Sequence, residues 1–140
     1  MSDGAKYLLD TNAISEPPKP RPNSTVLSFF HAVPLSSLYF SVLTLGELRK
    51  GVLVKRRNDP LMANRFELWI DSLEQTYADR ILPIDKATAA LWGELSADRT
   101  RPAVDTLLAA TAILHNLTLV TRNTRDVQDL PVRVLNPWQL

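Results

Sequence analysis

The sequence predicts an α/β fold: three layers, α/β/α, around a central and mostly parallel sheet. Three observations predict it. Short apolar runs alternate with segments of helical period along the whole chain. Those runs lack the apolar–polar alternation of a sheet with one wet face, so they read as strands covered on both sides. The 140 residues, 45% hydrophobic and 22% charged, suit one compact domain spanning residues 1–140.

Lys6-Tyr7-Leu8-Leu9 is the first strand, closed by the turn-forming Asp10-Thr11-Asn12. A helix begins over residues 13–16, but Pro17, Pro18, Pro20 and Pro22 stop it and impose a stiff, extended loop. Asn23 or Ser24 caps the next helix, over residues 25–33. Leu38-Tyr39-Phe40-Ser41-Val42 is the second strand, rich in aromatic and branched residues. Thr44-Leu45-Gly46-Glu47 opens a helix that ends among Lys55, Arg56 and Arg57, cations that suit the negative end of its dipole.

Asn58-Asp59-Pro60 interrupts the chain, and Met62, Phe66, Trp69, Ile70 and Leu73 then fall at helical intervals, to about residue 77. Ile81-Leu82-Pro83-Ile84 is a third apolar run, whose proline suggests an edge or irregular strand. Asp85 caps the helix that follows. Pro102 stands at the first turn of another, ending near His115 and Asn116. Leu117-Thr118-Leu119-Val120 is the fourth strand, residues 121–130 a turn with a short helix, and Val132-Arg133-Val134-Leu135 the last strand.

Composition removes several classes of function. Sixteen Lys and Arg against 15 Asp and Glu leave a net charge of +1, too little for a polybasic coat or an acidic tail. The absence of cysteine excludes disulfide scaffolds, thiolate metal sites and cysteine nucleophiles. Two histidines, His31 and His115, are too few for a His-rich zinc site. No apolar run approaches the roughly 20 residues of a membrane span, and the amino end lacks a signal-peptide pattern, so a cytoplasmic protein is expected.

In a parallel α/β sheet, ligands bind in the crevice beyond the carboxyl ends of the strands. Asp10 follows the first strand, Glu47 lies in the first helical turn after the second, and Asp126 comes just after the fourth, with Asn123 before it. Asp105 is in the first turn of the helix that leads into the fourth strand. Each has an ordinary explanation. Asp10 and Asp126 suit caps, Asp105 suits a helix dipole, and Thr44 with Glu47 matches a capping box. Converging at one edge, however, such carboxylates raise one another's pKa unless a cation sits among them. Oxygen ligands without His or Cys suit Mg²⁺ or Mn²⁺, which activates water for attack on a phosphodiester.

Asp85 also follows a strand, but the helix after it makes capping the stronger role. Glu16, Asp59, Asp71, Glu74 and Asp79 read as solvated-face or turn charges. Basic residues flank the acids: Arg49 and Lys50 beside Glu47, Arg122 and Arg125 beside Asn123, Arg99 and Arg101 before Asp105. They suit phosphates of a bound nucleic acid.

Four blocks in order resemble the signatures of PIN-domain nucleases: Leu8-Leu9-Asp10-Thr11-Asn12, Gly46-Glu47-Leu48-Arg49-Lys50-Gly51, Pro102-Ala103-Val104-Asp105 running into Ala109-Ala110-Thr111-Ala112, and Val120-Thr121-Arg122-Asn123-Thr124-Arg125-Asp126. The closing Val134-Leu135-Asn136-Pro137-Trp138 resembles the end of VapC-type toxins, FitB-like proteins included. The resemblance implies a Mg²⁺- or Mn²⁺-dependent endoribonuclease, the toxin of a type II toxin–antitoxin pair. It also implies a homodimer restrained by a cognate antitoxin. It makes Asp10, Glu47 and Asp105 the main acids, with Asp10 and Asp105 as metal ligands. Asn123 and Asp126 share the last position, and Thr11 and Thr121 support the ligands. Two rival readings belong to other classes: a catalytically inactive binding module on the same fold, and a phosphohydrolase with an aspartyl nucleophile. The second lacks the further carboxylate two residues after Asp10 that its common form employs.

Overall fold

The computed structural model describes residues 4–140. Five strands, β1 (Tyr7–Leu9), β2 (Leu38–Ser41), β3 (Ile81–Leu82), β4 (Thr118–Val120) and β5 (Val134–Leu135), form one sheet in the order β3-β2-β1-β4-β5. Every pairing is parallel, with Tyr7 opposite both Leu38 and Thr118. β3 is an edge strand, as Pro83 requires.

The side chains of the central strands divide between two cores. Leu9, Leu38, Phe40 and Val120 pack on one face with Ala13, Ile14, Phe29, Leu48, Val52, Ala63, Ile70, Leu73 and Tyr77. Leu8 and Leu119 pack on the other with Leu108, Ala109, Ala112, Leu117, Val127 and Leu130. Successive strand residues point to opposite faces, so uninterrupted apolar runs are what a doubly covered sheet demands. The first face carries α1 (Thr11–Ser15), α2 (Ser24–Ala32), α3 (Val42–Arg56) and α4 (Pro60–Thr76). The second carries α5 (Lys86–Ser96) and α6 (Ala103–Leu114). No helix among the described residues is long and apolar enough to cross a membrane.

Local chemistry sets the boundaries. Asn23 caps α2 through the amides of Thr25 and Val26, Asp59 caps α4 through Met62, and Asp85 caps α5 through Thr88. α6 ends with Asn116 at a φ of 57°, and the Leu117 amide reaches back 2.8 Å to the carbonyl of Ala112. That is a left-handed helix stop, and it delivers the chain directly into β4.

One boundary differs from the sequence reading. α3 starts at Val42, not Thr44, because the Ser41 hydroxyl accepts from the Leu43 amide and ends β2 there. Glu47 therefore falls in the second turn, and no capping box forms with Thr44. The carboxylate is left free to face another element.

Candidate active site at the carboxyl edge of the sheet

β1 is flanked by β2 and β4, and the chain departs from it in both directions. Its carboxyl end is thus the topological switch point, where parallel sheets open a crevice. Asp10 sits there. Its amide bonds to the Val120 carbonyl at 3.0 Å, extending the β1–β4 ladder by one rung. Its carboxylate accepts from the Ala13 amide at 2.8 Å and so caps α1. The cap role and the crevice position coexist in one side chain.

Asp10 is 7% exposed. Burial, chiefly, and the charge of Glu47 push its carboxyl above the ordinary aspartate value, while the Thr121 hydroxyl and the Ala13 amide act the other way. Glu47 reaches the same place from α3: the Thr11 hydroxyl donates to its Oε1 at 2.5 Å, across 36 residues of sequence.

Asp105 enters from the first turn of α6. Burial raises its pKa, followed by the negative charges of Asp126, Asp10 and Glu47. Asp126, Asp10 and Glu47 therefore all lie within electrostatic reach of Asp105, and Glu47 within reach of Asp10. Asn123 bridges two of them, its Nδ2 donating to Asp126 Oδ2 at 2.5 Å and to Asp105 Oδ2 at 3.4 Å. Its own amide donates to the Thr121 hydroxyl at 3.0 Å. Asp126 lies within the short 3-10 turn Thr124–Val127 rather than ahead of it as a cap.

The side chains gathered here are oxygen donors, the chemistry a hard divalent ion takes. Among the described residues, no Lys or Arg forms an ion pair with Asp10, Glu47, Asp105 or Asp126. Nor, among them, does any group of three or more His, Cys, Asp or Glu side chains stand ready to enclose a metal. Two carboxylates with water completing the shell suffice for Mg²⁺, and Asp10 and Asp105 have the burial and mutual repulsion that such an ion relieves.

With this geometry in view, similarity to known proteins becomes decisive. The family model described as "PIN domain" matches residues 7–131. The chain belongs to the PIN-domain family. Toxin FitB of Neisseria gonorrhoeae is 37% identical over 138 residues, 94% of this chain and 97% of that protein. The VapC ribonuclease Y4jK of Sinorhizobium fredii is 33% identical, covering 94% of this chain and 97% of that one. Among solved structures, the crystal structure of FitAcB from Neisseria gonorrhoeae superposes with a TM-score of 0.87 at 36% identity, over 96% of this chain and 99% of that one. This PIN domain is a homologue of the FitB and VapC toxins.

The flanking cations of this PIN domain have diverse surroundings. Arg49 is paired with Asp71 at 2.9 Å and with Glu74, both on α4, so its charge ties the α3–α4 hairpin together. Arg101 is 4% exposed at its side chain and bridges Asp98 and Asp129; Arg99 also pairs with Asp129. Lys50, Arg122 and Arg125 are exposed. Arg122 lies over the Trp138 ring, 5.1 Å from its centroid.

Two residues near these elements have surroundings that the sequence reading did not give them. Glu16, read there as a solvated or turn charge, is 5% exposed. It accepts from Lys19 Nζ and from the Asn23 amide, each at 2.8 Å. The signal for it was the proline loop itself, whose ends need an anchor. Trp138 was visible only as part of a terminal motif.

Proposed function

We propose that this chain is a Mg²⁺- or Mn²⁺-dependent endoribonuclease, the toxin of a toxin–antitoxin pair. What supports the reading is Asp105, in the first turn of α6, lying under the negative charges of Asp126, Asp10 and Glu47, with Asp10 at the switch point and no basic partner to any of the four among the described residues. The names of relatives support the activity: VapC ribonucleases of Sinorhizobium fredii and, at 24% identity, Rickettsia felis.

Asp10 and Asp105 hold the ion in this reading. When bound, it supplies Lewis acidity to the scissile phosphodiester and acidifies water. Glu47, steadied by the Thr11 hydroxyl, positions the attacking water. Asn123 fixes the carboxylates of Asp105 and Asp126, and Thr121 steadies Asp10. Lys50, Arg122 and Arg125 take flanking phosphates. Arg49 contributes little there, because two carboxylates of α4 already engage it.

A cognate antitoxin partner is supported by similarity to FitAcB and to FitAB bound to a DNA fragment, with a TM-score of 0.80 for the latter; a homodimer within that complex is part of the proposal. The cytoplasm, where RNA is abundant, is the expected compartment.

The test is replacement of Asp10 or Asp105 by Asn, which keeps side-chain volume and, at Asp10, a competent helix cap. Folding should survive, while cleavage of RNA with Mg²⁺ or Mn²⁺ and growth arrest on induction disappear. Sequencing RNA ends after induction of wild type and of Asp105→Asn reads both at once. Equal cleavage by the two removes the assignment.

A further inference from the structure

We infer that Arg101 is a positioning residue for the divalent ion: held between Asp98 and Asp129, it fixes the start of α6 against the turn after β4 and so sets the spacing of Asp105 and Asp126. The inference rests on the proposed metal-dependent function. It gives another role to a cation whose place in the sequence suited a phosphate.

The Arg101 side chain is 4% exposed, and all three of its nitrogens are engaged. Nε donates to the Leu95 carbonyl at 2.8 Å, in the last turn of α5, where helix carbonyls need an outside partner. Nη1 donates to both carboxylate oxygens of Asp129, each at 3.0 Å. Nη2 donates to those of Asp98, at 3.1 and 3.0 Å. Arg99 adds a further bond to Asp129 at 2.8 Å. A planar guanidinium presents its donors in fixed directions, so these contacts fix orientation as well as distance.

The clamp joins the two segments that carry Asp105 and Asp126. Arg101 precedes Pro102, whose carbonyl accepts from the Thr106 amide at 3.1 Å and hydroxyl at 2.7 Å, closing the first turn of α6 around Asp105. Asp129 comes three residues after Asp126, just beyond the 3-10 turn Thr124–Val127. Val127 and Leu130 share a core with Leu108 and Ala109 of α6. That apolar contact holds the turn on the helix but is non-directional. Direction comes from hydrogen bonds at two points. Asn123 touches both carboxylates inside the site, and Arg101 ties the same two segments a second time. Two ties prevent the pivoting that one would permit, and groups that orient metal ligands in this way commonly affect affinity tenfold or more.

The experiment is calorimetric titration of Mn²⁺ into wild type, Arg101→Met, Arg101→Lys, Arg133→Met and Asp105→Asn, with folding checked by circular dichroism in EDTA. Arg101→Met separates the clamp from simple electrostatics by sign. Removing a positive charge near the acids should tighten Mn²⁺ binding through the field alone, whereas losing the clamp should weaken it about tenfold. Arg101→Lys keeps the charge but not the planar fork, and should weaken binding in the same direction. Arg133 bonds Asn116, at the opposite end of β4, so Arg133→Met should leave the affinity at the wild-type value. A folded Arg101 variant that binds Mn²⁺ as tightly as wild type, or an equal loss in Arg133→Met, overturns the inference. Arg101 variants that both fail to fold make the residue purely structural and overturn it too. Asp105→Asn tells the two failures apart. If it loses Mn²⁺ while the Arg101 variants keep it, only the positioning role falls. If wild type binds no Mn²⁺, or Asp105→Asn binds it equally well, the proposed function falls and the inference with it.

Discussion

Replacing Asp105 by Asn should reverse the stability order of variant and wild type, depending on whether a divalent ion is present. The Asn123 amide nitrogen touches both Asp105 and Asp126, at 3.4 and 2.5 Å, which limits the gap between their oxygens to about 6 Å. Water reaches this half-buried pair, so an effective dielectric of roughly 40 is appropriate, and the repulsion is about 1.4 kcal/mol. Asp10 and Glu47 add to it in the same direction. Opposing this, Asp105 lies in the first turn of α6, where losing the negative charge costs about 0.5 kcal/mol. Repulsion wins by about 1 kcal/mol. In EDTA at neutral pH the variant should therefore melt about 3 °C above wild type. At an Mn²⁺ concentration a hundredfold above its dissociation constant, wild type gains about 2.7 kcal/mol. The variant gains little, so wild type becomes the more stable. The assay is thermal unfolding by circular dichroism with EDTA or Mn²⁺. A variant no more stable than wild type in EDTA, or equal metal shifts in the two proteins, would falsify the shared-cation reasoning.

The pH dependence follows from the same carboxylates. Folding raises the pKa of Asp10 and Asp105, so the native state keeps protons that the unfolded chain releases first. Their contribution to stability is greatest below the ordinary aspartate range and falls as pH rises through their raised native values. Glu16, Asp85 and Asp129 have lowered pKa values and act in the opposite sense, losing stability as pH falls. The advantage of Asp105→Asn over wild type in EDTA should therefore grow with pH and level off near neutrality; urea titrations from pH 4 to 8, at roughly unit steps, read it. Salt dependence separates the cations. Arg122→Ala should reduce the slope of log affinity for RNA against log salt by about 0.7, as loss of one phosphate contact on a single strand requires. Arg49→Ala should leave that slope unchanged and lower the melting temperature by weakening the α3–α4 pairing; the opposite pattern would put Arg49 on the RNA.

Much of this protein was legible because it is decided locally. The apolar runs that became β1, β2 and β4 follow from strand geometry, and Asn23, Asp59, Asp85 and Pro102 mark helix starts by short-range capping and sterics. The placement of Asp10 at a strand end needed only the order of the elements. The α3 boundary was misplaced by two residues because Ser41 and Thr44 are both competent caps. Only the register of β2 against β1 and β3 selects between them.

Which side chains meet was settled at the level of tertiary structure. Thr11 with Glu47, Arg49 with Asp71 and Glu74, and Arg101 with Asp129 join residues between 22 and 36 positions apart. Each pairing depends on how one helix is rotated and seated against its neighbour. The burial of Glu16 is of the same kind, since nothing within its own turn distinguishes it from an exposed glutamate. Residue order alone set the layers and the edge at which the acids gather, because backbone sterics and side-chain periodicity act over a few residues. Packing selected which charges were used up inside the fold and which were left for a ligand, because Coulomb energies depend on distances that only the assembled helices and strands define.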